Sequence, residues 1–351
     1  MKFETDSGAD DGRPAAPKRR SRRSRIALTV GALVVALIAI AAGAVGLFLN
    51  NLVNVFEGQV DVLTTSEAFP AEEGRPEPSS DGALNILLLA SDSRGDVAEV
   101  AKDPEDTSAT DQRSDVLMVV HLGADRSQVQ VMSIMRDSFV EVPGHGKAKI
   151  NAALSWGGTP LAVQTVEGLL GVRIDHVALI GFDGFAQMTD ALGGVTVNVP
   201  EAFDEGGYRF TAGETTMGGD QALVFVRQRY AFADGDFQRV KNQQAFIRSL
   251  AENAVSRGTF TNPAKLSDLV TAVAQNLSVD PELTPQRMID LGLSMRGLDP
   301  ANIAYFTVPA TGTGMEGDQS VVYLDEASLE QLRTALANDT VDEFLAARIG
   351  G

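Results

Sequence analysis

The chain has no cysteine among its 351 residues. That excludes disulfides, thiol catalysis and a lipid anchor on cysteine. Histidine is scarce: His121, His145 and His176 do not recur at metal-ligand spacing. His121 and His176 fall in apolar stretches, where an imidazole reads as a core or partner-bonded residue. The single tryptophan, Trp156, reads as packing. No G-x-S-x-G elbow surrounds a serine, no P-loop occurs, and no internal repeat is visible.

Charge is also absent locally. Residues 26–49 carry none. As a helix they would span roughly 36 Å, enough to cross a bilayer core with some tilt. Just before them lies Lys18-Arg19-Arg20-Ser21-Arg22-Arg23-Ser24-Arg25. The positive-inside rule then places residues 1–25 in the cytoplasm and everything after Leu49 outside. A cleaved signal peptide would have a shorter apolar region, so an uncleaved anchor is expected. Positive charge is otherwise scarce. The first 25 residues hold eight Lys/Arg against four Asp/Glu, net +4; with −18 on the whole chain, the outer portion holds −22. So acidic a domain argues against nucleic acid as a partner. An exported domain without disulfides suits a bacterial envelope.

Residues 50–82 read as an extracytoplasmic linker, because Glu72–Gly82 is rich in Pro, Ser and charge. The globular part, 83–351, interleaves strands and helices. Strands are expected at 85–90, 115–122, 128–134, 177–180, 195–199 and 303–308. Helices are expected at 159–170, 182–192, 239–256, 263–275, 285–292 and 325–336. This pattern gives an α/β or α+β class with a central sheet covered by helices.

Against the acidic background, the arginines of 222–244 (ALVFVRQRYAFADGDFQRVKNQQ) stand out. The first part alternates like a strand, with Leu223, Phe225, Arg227 and Arg229 on one face. Beyond Asp236 the pattern turns helical, and Arg239 and Gln243 lie one turn apart. Three converging guanidiniums would repel one another without an anion, and their forked donors match phosphate oxygens. The other reading is a set of surface salt bridges in an acidic protein. Arg136 is a further charge just past the strand 128–134.

Asp92 follows the first strand and Asp115 opens the second. If these strands are antiparallel neighbours, the two carboxylates meet at one sheet edge. Like charges held close need a cation or a shared proton, and beside phosphates Mg²⁺ is the natural bridge. The structural alternative has Asp92 capping a turn and Asp115 paired with Arg113. The polar loop between the aspartates is long enough to cover a ligand.

Several ordered motifs now line up: SDSR at Ser91–Arg94, RSD at Arg113–Asp115, SI-x-RD at Ser133–Asp137, KINAA at Lys149–Ala153, and ALGGV at Ala191–Val195. R-x-R at Arg227–Arg229 and DGDF-x-R with a following Gln at Asp234–Gln243 complete them. Behind a short basic tail and one apolar span, they resemble the LytR-CpsA-Psr family of bacterial envelope proteins. The resemblance runs from about Asn85 to Leu250 and less distinctly to the C-terminus. It implies an α-β-α sandwich with a central mixed sheet and an apolar groove for a polyprenyl tail. It implies a phosphotransferase that moves a glycopolymer, such as teichoic acid or arabinogalactan, from a polyprenyl-pyrophosphate carrier to peptidoglycan. The acceptor would be the C6 hydroxyl of N-acetylmuramic acid, and polyprenyl phosphate would leave. Residues matching the family's site are Asp92, Arg113 and Asp115 for catalysis, with Asp92 and Asp115 holding Mg²⁺ or Mn²⁺. Arg113, Arg136, Arg227, Arg229, Arg239 and Gln243 match the pyrophosphate site. The chain departs from the family at Ala90, often Gly, at Met135, often Pro, and at Asn242, where an arginine is common. Two rival classes are a polyprenyl-pyrophosphate hydrolase and a non-catalytic envelope regulator.

Overall fold

Apolar runs bounded by turn residues build the central sheet. The computed structural model describes residues 47–48, 50–91, 114–228, 235–254, 256–299 and 302–349. At Ser91, Ser114, Asp115, Phe182, Asp236, Arg257, Phe260 and Ile349 only the backbone is described. The basic tail, most of the 26–49 span, the loop 92–113 and residues 229–234 lie outside the described residues, and with them Asp92, Arg113 and Arg229. Among the described residues no helix is long and apolar enough to cross a membrane.

In chain order, β1 (Asp61–Val62), α1 (Thr65–Ala68), β2 (Leu84–Ser91), β3 (Ser114–Leu122) and β4 (Val129–Ile134) come first. A hairpin of β5 (Phe139–Val142) and β6 (Gly146–Lys149) leads into α2 (Ala152–Leu170). Next are β7 (His176–Gly181), α3 (Phe182–Ala191), β8 (Val195–Val199), β9 (Phe203–Glu205), β10 (Tyr208–Phe210) and β11 (Gly213–Met217). Then come α4 (Gly219–Arg227), α5 (Asp236–Ala254), α6 (Arg257–Phe260), α7 (Pro263–Ala274), β12 (Leu277–Val279) and α8 (Pro285–Ser294). The chain closes with β13 (Ile303–Thr307), β14 (Ala310–Glu316), β15 (Gln319–Leu324), α9 (Glu326–Ala337) and α10 (Val341–Ile349).

Among the described residues the main sheet has seven strands in the order β1-β12-β7-β2-β3-β4-β13. It is mixed: β2 runs parallel to β7 and antiparallel to β3, and β4 runs parallel to β13. This is an α/β fold with a central mixed sheet. Alternation along the strands separates two cores. Leu87, Leu89, Leu117, Val119, Met132 and Ile134 pack with Val163, Val166 and Leu170 of α2 and Leu332 of α9. From the opposite face, Ala90, Val116, Met118 and Val131 pack with Leu291 of α8. Every residue of β4 is buried, as expected of a strand covered on both faces. The expected strands and most helices stand within a few residues of where the pattern puts them.

The structure departs from the sequence pattern in three places. The alternation that begins at Ala222 predicts a strand, but Gly219–Arg227 is helix α4. Ala222, Phe225 and Val226 are its buried face, at helical spacing. A short apolar run does not separate the two periods by itself; here a close helix contact does. A Cβ on Gly219 would lie 2.4 Å from the Ala186 carbonyl oxygen of α3, and the Gly219 N–H donates to Asp190 Oδ1 at 2.8 Å. Gly219→Ala should therefore destabilise the fold by about 1–3 kcal/mol; an unchanged midpoint in chemical denaturation would refute this close packing. Arg227 thus stands at a helix end and not on a strand face, and Arg229 lies outside the described residues.

The 50–82 segment, expected as a linker, is partly folded onto the domain. β1 pairs with β12 at the sheet edge. The Arg75 guanidinium donates to Glu167 Oε1 at 2.7 Å and to the Ile174 carbonyl at 2.7 Å. Composition marks the stretch as a linker, but one arginine reaching a buried carboxylate docks it. The third departure concerns helix α2, which starts at Ala152, seven residues earlier than expected. Gly157 and Gly158 break it (φ −148° and +63°), so only the part after the break shows an uninterrupted apolar period.

Candidate active site

The end of β2 and the start of β3 form one rim of the site. Ser91 pairs with Ser114 in the antiparallel ladder, and a register irregularity separates Ala90 from Ser91. The strands are thus antiparallel neighbours. Asp115 lies in β3 beside the end of β2, and the chain continues from Ser91 directly into Asp92. Asp92 lies outside the described residues, so the expected meeting of its carboxylate with that of Asp115 is carried into the proposal below. Among the described residues there is no cluster of three or more His, Asp or Glu that could hold a metal.

Arg136 follows β4 on the same sheet. Met135 before it is buried against Val240 and partly buried Phe237 of α5. Gln244 Nε2 of α5 also donates to Ser133 Oγ at 2.9 Å and to Thr307 Oγ1 at 3.2 Å. Together these contacts fasten α5 to the ends of β4 and β13. Arg239, in the first turns of α5, is thereby held only 5% exposed.

Arg136, Lys149 and Arg239 face one carboxylate, Asp137. Arg136 Nε lies 3.4 Å from Asp137 Oδ2, and Lys149 Nζ lies 3.0 Å from Asp137 Oδ1. Burial pushes the Asp137 carboxyl up, but the Lys149 hydrogen bond and the charges of Arg136, Lys149 and Arg239 outweigh it and hold the group below its ordinary value of 3.8. A depressed acid contributes stability that is fully present above the unfolded value and is lost as pH falls through the folded one. Asp137→Asn should therefore flatten the part of the acid-side fall in melting temperature below 3.8. Parallel melting curves for the variant and the wild type across that window would sink the assignment.

Gln243 is buried one turn beyond Arg239, and its Nε2 donates to the Val226 carbonyl at 3.3 Å. That bond ties the C-terminal end of α4, where exposed Arg227 stands, to α5. The structure thus brings Arg136, Arg239, Gln243 and the α4 end into one neighbourhood. Asn242, the departure from the expected arginine, is buried; its Oδ1 accepts from Gln238 Nε2 at 2.9 Å. Asn242 Nδ2 has no hydrogen-bond partner among the described residues.

Asp137 and Lys149 do not stand out from the sequence as site residues, although both lie in the motifs quoted above. The signal available is that each motif ends or begins on a charge beside a buried strand. The histidines behave as expected of partner-bonded residues. His121 sits between Asn85 Oδ1 at 2.8 Å and Asp339 Oδ1 at 2.9 Å. His176 Nδ1 lies 3.2 Å from Asp280 Oδ2. Trp156 does not pack in the core: it is 45% exposed and stacks on His145.

Fold and site together define an α/β protein with a cation cluster suited to a polyanion at one end of its mixed sheet. The chain belongs to the LytR_cpsA_psr family, whose match covers residues 55–338. It is 32% identical over 283 residues to the cell wall biosynthesis protein LcpA of Corynebacterium glutamicum, covering 70% of this chain and 54% of that one. It is 35% identical over 209 residues to the polyisoprenyl-teichoic acid–peptidoglycan teichoic acid transferase TagU of Bacillus mycoides, covering 59% of this chain and 63% of that one. The chain therefore spans between half and two thirds of the length of these two relatives. Among solved structures, B. subtilis TagV superposes with a TM-score of 0.61 at 27% identity, covering 74% of this chain and 98% of that one. TagT bound to LIIa-WTA shares the fold, with a TM-score of 0.59 at 23% identity, covering 78% and 98%.

Proposed function

We propose that this chain is a membrane-anchored phosphotransferase that moves a glycopolymer from a polyprenyl-pyrophosphate carrier to a peptidoglycan hydroxyl, releasing polyprenyl phosphate. The observation that carries this reading is the convergence of Arg136, Lys149 and Arg239 from three separate elements in a domain that is otherwise strongly acidic. Cations collected against such a background suit a ligand with several negative charges. The name of the relative TagU, a teichoic acid transferase to peptidoglycan, points to the same chemistry, and that of LcpA points to cell wall biosynthesis.

In this reading Arg136, Arg227, Arg239 and Gln243, with Arg113 and Arg229, hold the two phosphates and orient the phosphorus nearest the sugar. Asp92 and Asp115 would hold Mg²⁺ or Mn²⁺. When bound, such an ion neutralises charge on the phosphate oxygens and on the leaving group. The guanidinium forks stabilise charge that builds on the equatorial oxygens as the acceptor hydroxyl attacks in line. The polyprenyl tail would need an apolar groove, as the family resemblance implies.

The deciding experiment incubates the full chain with a synthetic polyprenyl-pyrophosphate saccharide, peptidoglycan and Mg²⁺. Saccharide bound to peptidoglycan is the expected product. Free saccharide phosphate with acceptor present would make the protein a hydrolase, and an intact donor would remove the enzymatic reading. The anchor and outside location belong to the same proposal. A reporter fused after Gly351 should work only outside the cytoplasm, and a working cytoplasmic reporter would overturn the topology.

A further inference from the structure

We infer that Trp156 and His145 form a saccharide-stacking platform next to the charged cluster. Its role in transfer rests on the function proposed above.

Trp156 is the only tryptophan in the chain, and it is 45% exposed. Its ring stacks on the exposed His145 ring, with centroids 4.8 Å apart and 27° between the planes. Two glycine pairs build this arrangement. His145 lies between Gly144 and Gly146 at the tip of the β5–β6 hairpin, and both glycines have left-handed φ, +78° and +74°. Trp156 directly precedes the α2 break at Gly157-Gly158. A Cβ on Gly157 would lie 2.6 Å from Leu161 Cβ, so the break needs glycine there. The exposed aromatic pair is therefore specified by the backbone on both sides.

Hairpin geometry places the pair relative to the cluster. At the hairpin base, Phe139 pairs with Lys149, and Lys149 holds Asp137. His145 is four residues from Lys149, about 13 Å along an extended strand. A saccharide whose pyrophosphate sat at the cluster, or an acceptor glycan approaching it, would reach this distance with its rings. The C–H face of a pyranose suits the electron-rich face of an indole. Glu141 and Lys147, exposed and paired across the hairpin, add an acceptor and a donor for hydroxyls. Those charges and the imidazole suit a glycan better than a bilayer.

Donor saccharide and acceptor glycan present the same ring face, so the test separates them. As the sole tryptophan, Trp156 reports its own surroundings by fluorescence. The full chain in phosphatidylcholine nanodiscs is titrated with an N-acetylglucosamine tetrasaccharide, standing for the acceptor, and separately with the lipid-free donor saccharide. A saturable emission change with either supports the platform and identifies the source. Trp156→Ala should raise the KM for that saccharide in transfer about tenfold, and Trp156→Phe should recover most of it, at unchanged melting temperature. Silence with both saccharides, a wild-type KM in Trp156→Ala, or quenching by brominated lipid would overturn the inference. Emission that titrates in a protein without transfer activity would leave the platform standing and remove the transferase reading. Normal transfer with silent emission would do the reverse.

Discussion

Asp92→Ala and Asp115→Ala are each expected to lower Mg²⁺-dependent transfer by about 10² or more while the melting temperature holds. The reason lies in the ladder between β2 and β3. Ser91 pairs with Ser114, and Asp92 follows Ser91 in the sequence as Asp115 follows Ser114. In the proposed site the two carboxylates would repel unless a cation or proton lay between them. Removing either would leave the proposed cation with one of its two carboxylates and the phosphates with less neutralisation. The measurement is transfer rate against Mg²⁺ concentration, with thermal melting alongside. Wild-type rates in both variants at every Mg²⁺ concentration would make the carboxylates structural and end the metal proposal.

Arg239→Lys should cut transfer roughly 10- to 100-fold. Lysine keeps the charge beside Asp137 but loses the planar fork that can hold two phosphate oxygens at once. Charged hydrogen bonds are worth about 1.5–3 kcal/mol each, which sets the range. Arg248→Lys is the control on the same helix. Arg248 pairs with Glu252 at 3.0 Å, both side chains are 56% exposed, and such surface pairs contribute little. Its transfer and melting temperature should stay at wild-type values. If Arg239→Lys transfers normally, or loses activity only by unfolding, Arg239 belongs to the scaffold.

Much of this molecule is legible in its sequence because its sheet is regular. The buried strands β2, β3 and β4 are nearly continuous apolar runs, and the helices around them carry the 3.6-residue period. The antiparallel meeting of β2 and β3 follows as a condition from chain order, and the ladder meets it. Arg136 and Arg239 stand out because cations are few in an acidic chain. Less legible are features that depend on contacts remote in sequence. The α4 segment alternates over its few apolar residues as a strand would, but it packs as a helix, with Gly219 close on α3 and Ala222, Phe225 and Val226 buried at helical spacing.

The sequence by itself determined the main-sheet strands β2, β3, β4, β7 and β13 (though not the short β1 and β12), the uncharged 26–49 run with its basic flank, and the motif residues that point to a phosphate-binding site. Those are properties of composition and local period. Tertiary structure alone decided that Lys149 and Asp137 join Arg136 and Arg239, that Gln243 ties α4 to α5, and that Trp156 faces outward on His145. Each joins residues from different elements, and such proximity is set by packing and hairpin geometry that no local pattern encodes.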